Sequence, residues 1–146
     1  MKVSVVIPSF YEVDKDYLKV CVESLRATVD WDIIVVTNGT NTKPRIDDIH
    51  GITNHLHTRD QGQCIATNIG AQAATPNTDY IMVVNSDMYF PKNWGKDLVN
   101  DNYLCFSPNL VEPENNAGSA MPFLKLDAGF TLDEFKPALV EEFVNQ

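Results

Sequence analysis

An open α/β sheet of mostly parallel strands, with helices on both faces, is predicted by three features of this 146-residue sequence. Lys2 to Ile7 (KVSVVI) and Trp31 to Thr37 (WDIIVVT) are nearly continuous apolar, β-branched runs, the pattern of strands buried on both faces. Each run stops at turn residues, Pro8-Ser9 in one case and Asn38-Gly39-Thr40-Asn41 in the other. Helical patterns alternate with the strands, which implies right-handed crossovers. In such a sheet the loops after Ile7, Thr37 and Val84 gather at one edge, where open α/β sheets bind ligands. The length suits one compact domain that buries roughly 70% of its unfolded surface.

The elements follow in order. After the first strand, Asp16 is placed to cap a helix whose Tyr17, Cys21, Leu25 and Thr28 share a face with Leu18 and Val22 beside them. Beyond the second strand, His55 to Arg59 reads as a third and weaker one. Gln61-Gly62 opens a helix to Ala74, broken by Pro76-Asn77, and Tyr80 to Val84 is the fourth strand. Asn93 to Asn100 suits a short helix and Tyr103 to Ser107 a further strand, followed by a polar loop from Asn109 to Ser119. At the carboxyl end, Thr131 and Glu134 have capping-box spacing before an apolar face of Leu132, Phe135, Leu139 and Phe143. Pro137 interrupts that pattern and favours a loop before a short final turn.

Composition excludes several function classes. The formal charge of -9, without a basic cluster, disfavours nucleic acid and anionic membranes. A bound phosphate on so acidic a surface calls for a divalent cation held by carboxylate. No apolar run is long enough for a transmembrane segment, and Val3 to Ile7 is too short for a signal-peptide core, so a soluble, unexported, cytoplasmic protein is expected. Three scattered cysteines, Cys21, Cys64 and Cys105, fit a reducing compartment and small buried sites. His55 and His57 would share a strand face, but without a third ligand beyond His50 an ordinary solvent-facing pair is favoured over a metal site.

The stretch Arg59 to Trp94, RDQGQCIATNIGAQAATPNTDYIMVVNSDMYFPKNW, sets a glycine turn and helix before a buried strand that ends on Asn85-Ser86-Asp87. Together with VSVVIPSFYE (Val3 to Glu12), VVTNGTN (Val35 to Asn41) and the Pro-x-x-Trp segment ending at Trp94, it resembles the family 2 glycosyltransferases. These are nucleotide-sugar transferases of the GT-A fold, and the resemblance is strongest in the first two thirds of the chain. It implies a donor-binding portion over residues 1–94 and a short acceptor-side portion over 95–146. It also implies a nucleotide diphosphate sugar as donor, a uridine one in our reading, with a saccharide or other hydroxyl acceptor and inversion at the anomeric carbon. By the same resemblance, Pro8 and Phe10 flank the base, Glu12 lies near the base or ribose, and Asn38 bonds the base edge. Asp60, Gly62 and Asn68 line the sugar-nucleotide pocket.

Asp87 stands where the family's metal carboxylate stands and would ligate Mn²⁺ or Mg²⁺ together with diphosphate oxygens. Asn85 replaces the usual first aspartate of the Asp-x-Asp motif and, with Ser86, faces the donor as a neutral neighbour. Thr67 stands where a cation is common, which increases dependence on the metal. AGFTLDEFKPALVEEF (Ala128 to Phe143) resembles the segment before the family's catalytic acid pair, which would make Glu142 the base and Glu141 its neighbour. Against this stands a non-catalytic sugar-nucleotide binding module or a fragment of a longer transferase, suggested by Asn85, Thr67 and the short carboxyl end. A nucleotidyltransferase ranks lower, because SFYEVDKD after the first strand is not a basic glycine-rich loop. A homo-oligomer that completes the acceptor site is left open.

Overall fold

A computed structural model of the chain describes residues 1–59, 62–95, 105, 126–129 and 131–145. It contains β1 (Val3–Ser9), α1 (Tyr11–Arg26), β2 (Asp32–Thr37), β3 (Asn54–His57), α2 (Gly62–Gln72), β4 (Tyr80–Val83) and α3 (Pro137–Val144). The chain divides into two compact units, Met1–Phe90 and Pro91–Gln146.

In the first unit the four strands form a parallel sheet in the order β3-β2-β1-β4. The chain moves outward from β1 to β2 and β3, then α2 carries it back across the sheet to the far side of β1. The crossover direction therefore reverses between β1 and β4, and the crevice beyond their carboxyl ends is the topological switch point. Every residue of β1 is buried, as its continuous apolar run predicts.

β1 continues through Pro8 and Ser9, two residues past the predicted end. Val84 N–H donates to Val6 O on the β4 side, and Asn38 N–H donates to Ser9 O on the β2 side. Backbone groups alternate sides along a parallel strand, so the missing N–H of Pro8 points past the end of β4, where the ladder has already stopped.

Gly70 of α2 lies so close to the sheet that a Cβ there would meet Val6 Cγ1 at 2.3 Å and Val36 Cγ2 at 3.0 Å. That contact seats α2 on the face carrying Val6, Ile34 and Val36, where Ala66 is buried with them. Leu18, Cys21, Val22 and Leu25 of α1 are fully buried, and the crossover rule puts them over the opposite face, with Val5, Ile7, Ile33 and Val35. On the α2 side of β4, Ile81 and Val83 remain exposed.

α1 starts at Tyr11, with Phe10 as the N-cap residue, six positions before the predicted helix start after Asp16. The capping carboxylate is Asp14, which reaches back to accept from Phe10 N at 3.1 Å and from Ser9 Oγ at 2.7 Å. Asp16 is exposed on the next turn. Thr28 lies beyond the helix end, its hydroxyl bonded to Leu25 O at 2.9 Å. β3 is shorter than predicted and ends at His57, and α2 ends at Gln72 rather than Ala74. Of the cysteines expected in buried sites only Cys21 is buried. Ala66 and Gly70 take the inner face of α2 and leave Cys64 outside; Cys105 is also exposed.

In the second unit, α3 begins with Pro137 in its first turn, the position where a missing N–H costs nothing. The capping-box reading of Thr131 and Glu134 gives way to a closed loop. Glu134 N–H bonds Thr131 O at 3.2 Å, and Lys136 N–H returns to Ala128 O at 2.9 Å. Gly129 makes this loop possible, with φ of +99° and space for a Cβ denied by Glu134 O at 2.4 Å. The predicted helix after Asn93 begins with a turn through Gly95, and its remainder, the predicted strand from Tyr103 and the loop from Asn109 fall outside the described residues, Cys105 apart. Among the described residues no helix is long and apolar enough to cross a membrane.

Candidate active site at the switch point

The loops that leave β1, β2 and β4 emerge at one end of the parallel sheet, as expected from the sequence. After β1, Pro8 is buried inside the strand, so the surface of the first turn is formed by Phe10, which is 42% exposed, and by exposed Glu12. The Phe10 ring lies on Gly39 of the second loop: a Cβ at Gly39 would sit 2.0 Å from Phe10 Cε2. Gly39 also has φ of +87°, so both backbone and space require glycine there. Asn38, the residue before it, is only 5% exposed, and its side chain makes no hydrogen bond among the described residues. An aromatic ring and an unsatisfied amide thus lie on adjacent loops, a combination suited to a flat, polar-edged base.

Beyond β4, Asn85 and Asp87 are exposed while Ser86 is turned inward at 9% exposure. Ser86 Oγ donates to Asp14 Oδ2, and Asn85 Oδ1 accepts from Gln63 Nε2 at 2.8 Å. Cys21 Sγ donates weakly to Asn85 O at 3.5 Å. Burial pushes the Cys21 thiol up to about 12; a hydrogen bond with the Met88 backbone opposes this and the charges of Asp87 and Asp14 add to it, so the sulfur stays protonated. Asp87 makes no hydrogen bond or ion pair among the described residues, and its carboxylate is available at the strand end.

With its carbonyl oxygen taken by Gln63, Asn85 presents its amide N–H groups and leaves Asp87 as the carboxylate of the loop. Among the described residues no three His, Cys, Asp or Glu side chains cluster as a self-sufficient metal site. A lone carboxylate is an oxygen donor of the kind a hard cation takes. Gly62 opens α2 with φ of +78° and open space where a Cβ would stand, which leaves room for backbone approach. Asn68 is exposed on the second turn of α2, and Asp60 lies outside the described residues. In the second unit Glu141 and Glu142 both lie on α3. The Glu141 carboxylate accepts Lys92 N–H at 2.9 and 3.1 Å, whereas Glu142 is exposed.

Sequence reasoning missed Asp14 and Gln63 as partners of the strand-end loop. It also misread the histidine pair as solvent-facing, because both rings are half-buried against Thr37. His55 Nε2 is 2.9 Å from Thr37 Oγ1, and His57 Nδ1 is 3.1 Å from Thr37 O and 3.2 Å from Thr37 Oγ1. The buried Nε2 of His57 has no hydrogen-bond partner among the described residues.

His55 is pushed down to about 4, chiefly by burial and then by the charges of Lys43 and His57, with Asp47 opposing. A histidine in the unfolded chain titrates near 6.5, so between about 6.5 and 4 the unfolded state binds the proton that folded His55 refuses. Stability from neutral His55 is full above that window and is lost as pH falls through it. Urea unfolding of wild type and His55→Gln between pH 7.5 and 4.5 should therefore show a wild-type advantage that shrinks on acidification. Parallel profiles would remove His55 as the cause.

An open parallel sheet with order 3-2-1-4, a base-sized platform on its first two loops and a carboxylate after its fourth strand is the Rossmann-like GT-A arrangement of nucleotide-sugar transferases. The chain belongs to glycosyl transferase family 2: the family model matches residues 4–101, more than half of its 146 residues. The match takes in every strand of the sheet and the Asn85-Ser86-Asp87 loop. No curated protein matches the chain.

Proposed function

We propose that the protein transfers a sugar from a uridine diphosphate donor to a hydroxyl acceptor by direct displacement with inversion. The observation that carries this reading is the exposed Asp87 carboxylate, without a hydrogen bond among the described residues, at the switch point of a family 2 fold. Phe10 and Asn38 hold the base, Glu12 lies toward the ribose, and the Asn85 amide donates to donor oxygens. The first turn of α2, at the positive end of the helix dipole, favours negative charge beside Gly62.

Asp87 would hold Mn²⁺ or Mg²⁺, and a cation there neutralises the charge that collects on the departing diphosphate. In the displacement the acceptor oxygen bonds to the anomeric carbon as the bond to diphosphate breaks. Glu142 takes the hydroxyl proton. Glu141, already bonded to Lys92 N–H, fixes α3 to the segment after the strand-end loop.

Release of nucleoside diphosphate from a panel of nucleotide sugars, with Mn²⁺ or chelator and mixed saccharide acceptors, tests the reading. Metal-dependent release from a uridine donor is expected. Binding without release would identify the sugar-nucleotide binding module instead, which the neutral Asn85 favours as the second reading. Absence of both would exclude a donor site.

A further inference from the structure

We propose that Asp14 is a positioning residue that locks the Asn85–Asp87 loop to the Phe10 turn and so sets the affinity for the donor's diphosphate. The role rests on the donor-binding reading above. One carboxylate accepts three hydrogen bonds: Ser9 Oγ at 2.7 Å on Oδ1, Phe10 N–H at 3.1 Å on Oδ2, and Ser86 Oγ, also on Oδ2. The first two bonds complete the capping of α1. The third does not serve the helix at all, because Ser86 lies 72 positions away, beyond β4. Asp14 thus bonds to the residues at both strand ends flanking the switch point, Ser9 at the end of β1 and Ser86 beyond β4.

The opposite face of the sheet supplies a second anchor. Gln63, in the first turn of α2, holds the Asn85 side chain at 2.8 Å, and α2 packs on the face carrying Val6 and Val36. Asn85 and Ser86 are therefore gripped from helices on opposite faces, and the loop cannot rotate about the axis of β4. Asp87 is the next residue, exposed and without a hydrogen bond among the described residues, so its carboxylate is aimed by these two neighbours. Placement errors near 1 Å at a reacting centre cost large factors in binding and rate, which is why a distant anchor matters. The carboxylate accepts from all three donors in charge-assisted bonds. Asparagine has one acceptor oxygen and would have to donate from its amide to a hydroxyl, which leaves only weaker, neutral bonds.

The test is calorimetric titration of Mn²⁺ with uridine diphosphate into wild type, Asp14→Asn, Ser86→Ala and the double variant. Asp14→Asn and Ser86→Ala should each weaken binding about tenfold, and the double variant should lose little more than either, because both break the same link. In turnover the donor KM should rise in all three while the acceptor KM holds. Ser86→Ala keeps the two capping bonds of Asp14, so it reports on the link even if Asp14→Asn destabilises α1. Affinity unchanged in Ser86→Ala, or losses that multiply in the double variant, would overturn the proposal. Should wild type bind no nucleotide, the donor-binding reading fails, and amide hydrogen exchange at residues 85–88 then judges the link by itself. Exchange about tenfold faster in Ser86→Ala supports it, and unchanged exchange rejects it.

Discussion

Asp87→Ala is expected to abolish stabilisation by uridine diphosphate sugars in Mn²⁺ while leaving the unliganded protein as stable as wild type. The side chain is exposed and makes no hydrogen bond among the described residues, so its removal should change folding by no more than about 0.5 kcal/mol. Its effect should therefore appear only with ligand. A donor at about 100 times its dissociation constant stabilises the native state by about 2.7 kcal/mol, a melting shift on the order of 5–10 °C for a chain of this size. Wild type should show that shift with Mn²⁺ and lose most of it with chelator; Asp87→Ala should show neither response. Asp87→Asn separates charge from shape, since it keeps an oxygen in place but withdraws the negative charge a hard cation requires. It should behave like alanine in binding, with turnover down by at least about 10²-fold. A full shift in Asp87→Ala would place the diphosphate elsewhere and remove this loop from the site.

The parts of the fold that were legible in the sequence are those where one physical demand dominates. β1 and β2 are central strands covered on both faces, so their sequences are apolar at nearly every position and cannot be mistaken for amphipathic helix. β3 and β4 form the two edges of the described sheet, and their segments, NHLH and YIMV, are short and only partly buried. Both were readable, β4 to within one residue of its end, while β3 starts one residue earlier and ends two residues earlier than its sequence suggests. The start of α1 was misplaced for a similar reason. Its first turn buries nothing, so the apolar period begins only at Tyr17, and the chain from Tyr11 to Asp16 resembles a polar loop until Asp14 is seen bonding back to Phe10 N–H.

The site divides along the same line. The positive φ of Gly39 and Gly62 and the place of Asp87 after β4 were legible because each is a local feature of the chain. Asp14 and Gln63 were not, since their function depends on Ser86 and Asn85, 72 and 22 positions away. A weak signal did exist for Asp14. Its spacing of four from Phe10 and five from Ser9 is what a carboxylate needs to cap the first turn of a helix. Nothing in the sequence placed it beside Ser86. The histidine pair was read correctly as sharing a strand face, yet its partner Thr37 belongs to the neighbouring strand, and only the pairing of Thr37 with His57 brings them together.

Glu142→Gln is expected to cut transfer by about 10²- to 10⁴-fold while donor affinity stays within about twofold of wild type. The argument distinguishes the two members of the acid pair. Glu141 spends both carboxylate oxygens on Lys92 N–H, so its side chain is committed to that contact. Glu142 follows it on α3, is exposed, and has no hydrogen bond among the described residues, so it can approach an acceptor hydroxyl. Glutamine keeps the volume and helix propensity of glutamate but cannot take a proton at neutral pH. The loss should therefore fall on kcat with the donor KM unchanged. Hydrolysis of the donor in the absence of acceptor provides an internal control: if Glu142 serves the acceptor proton, transfer should fall further than hydrolysis. Glu141→Gln should instead lower stability and activity together, because its effect passes through the anchoring of α3 to Lys92. Unchanged transfer in Glu142→Gln would assign the base to another group and leave α3 a structural element.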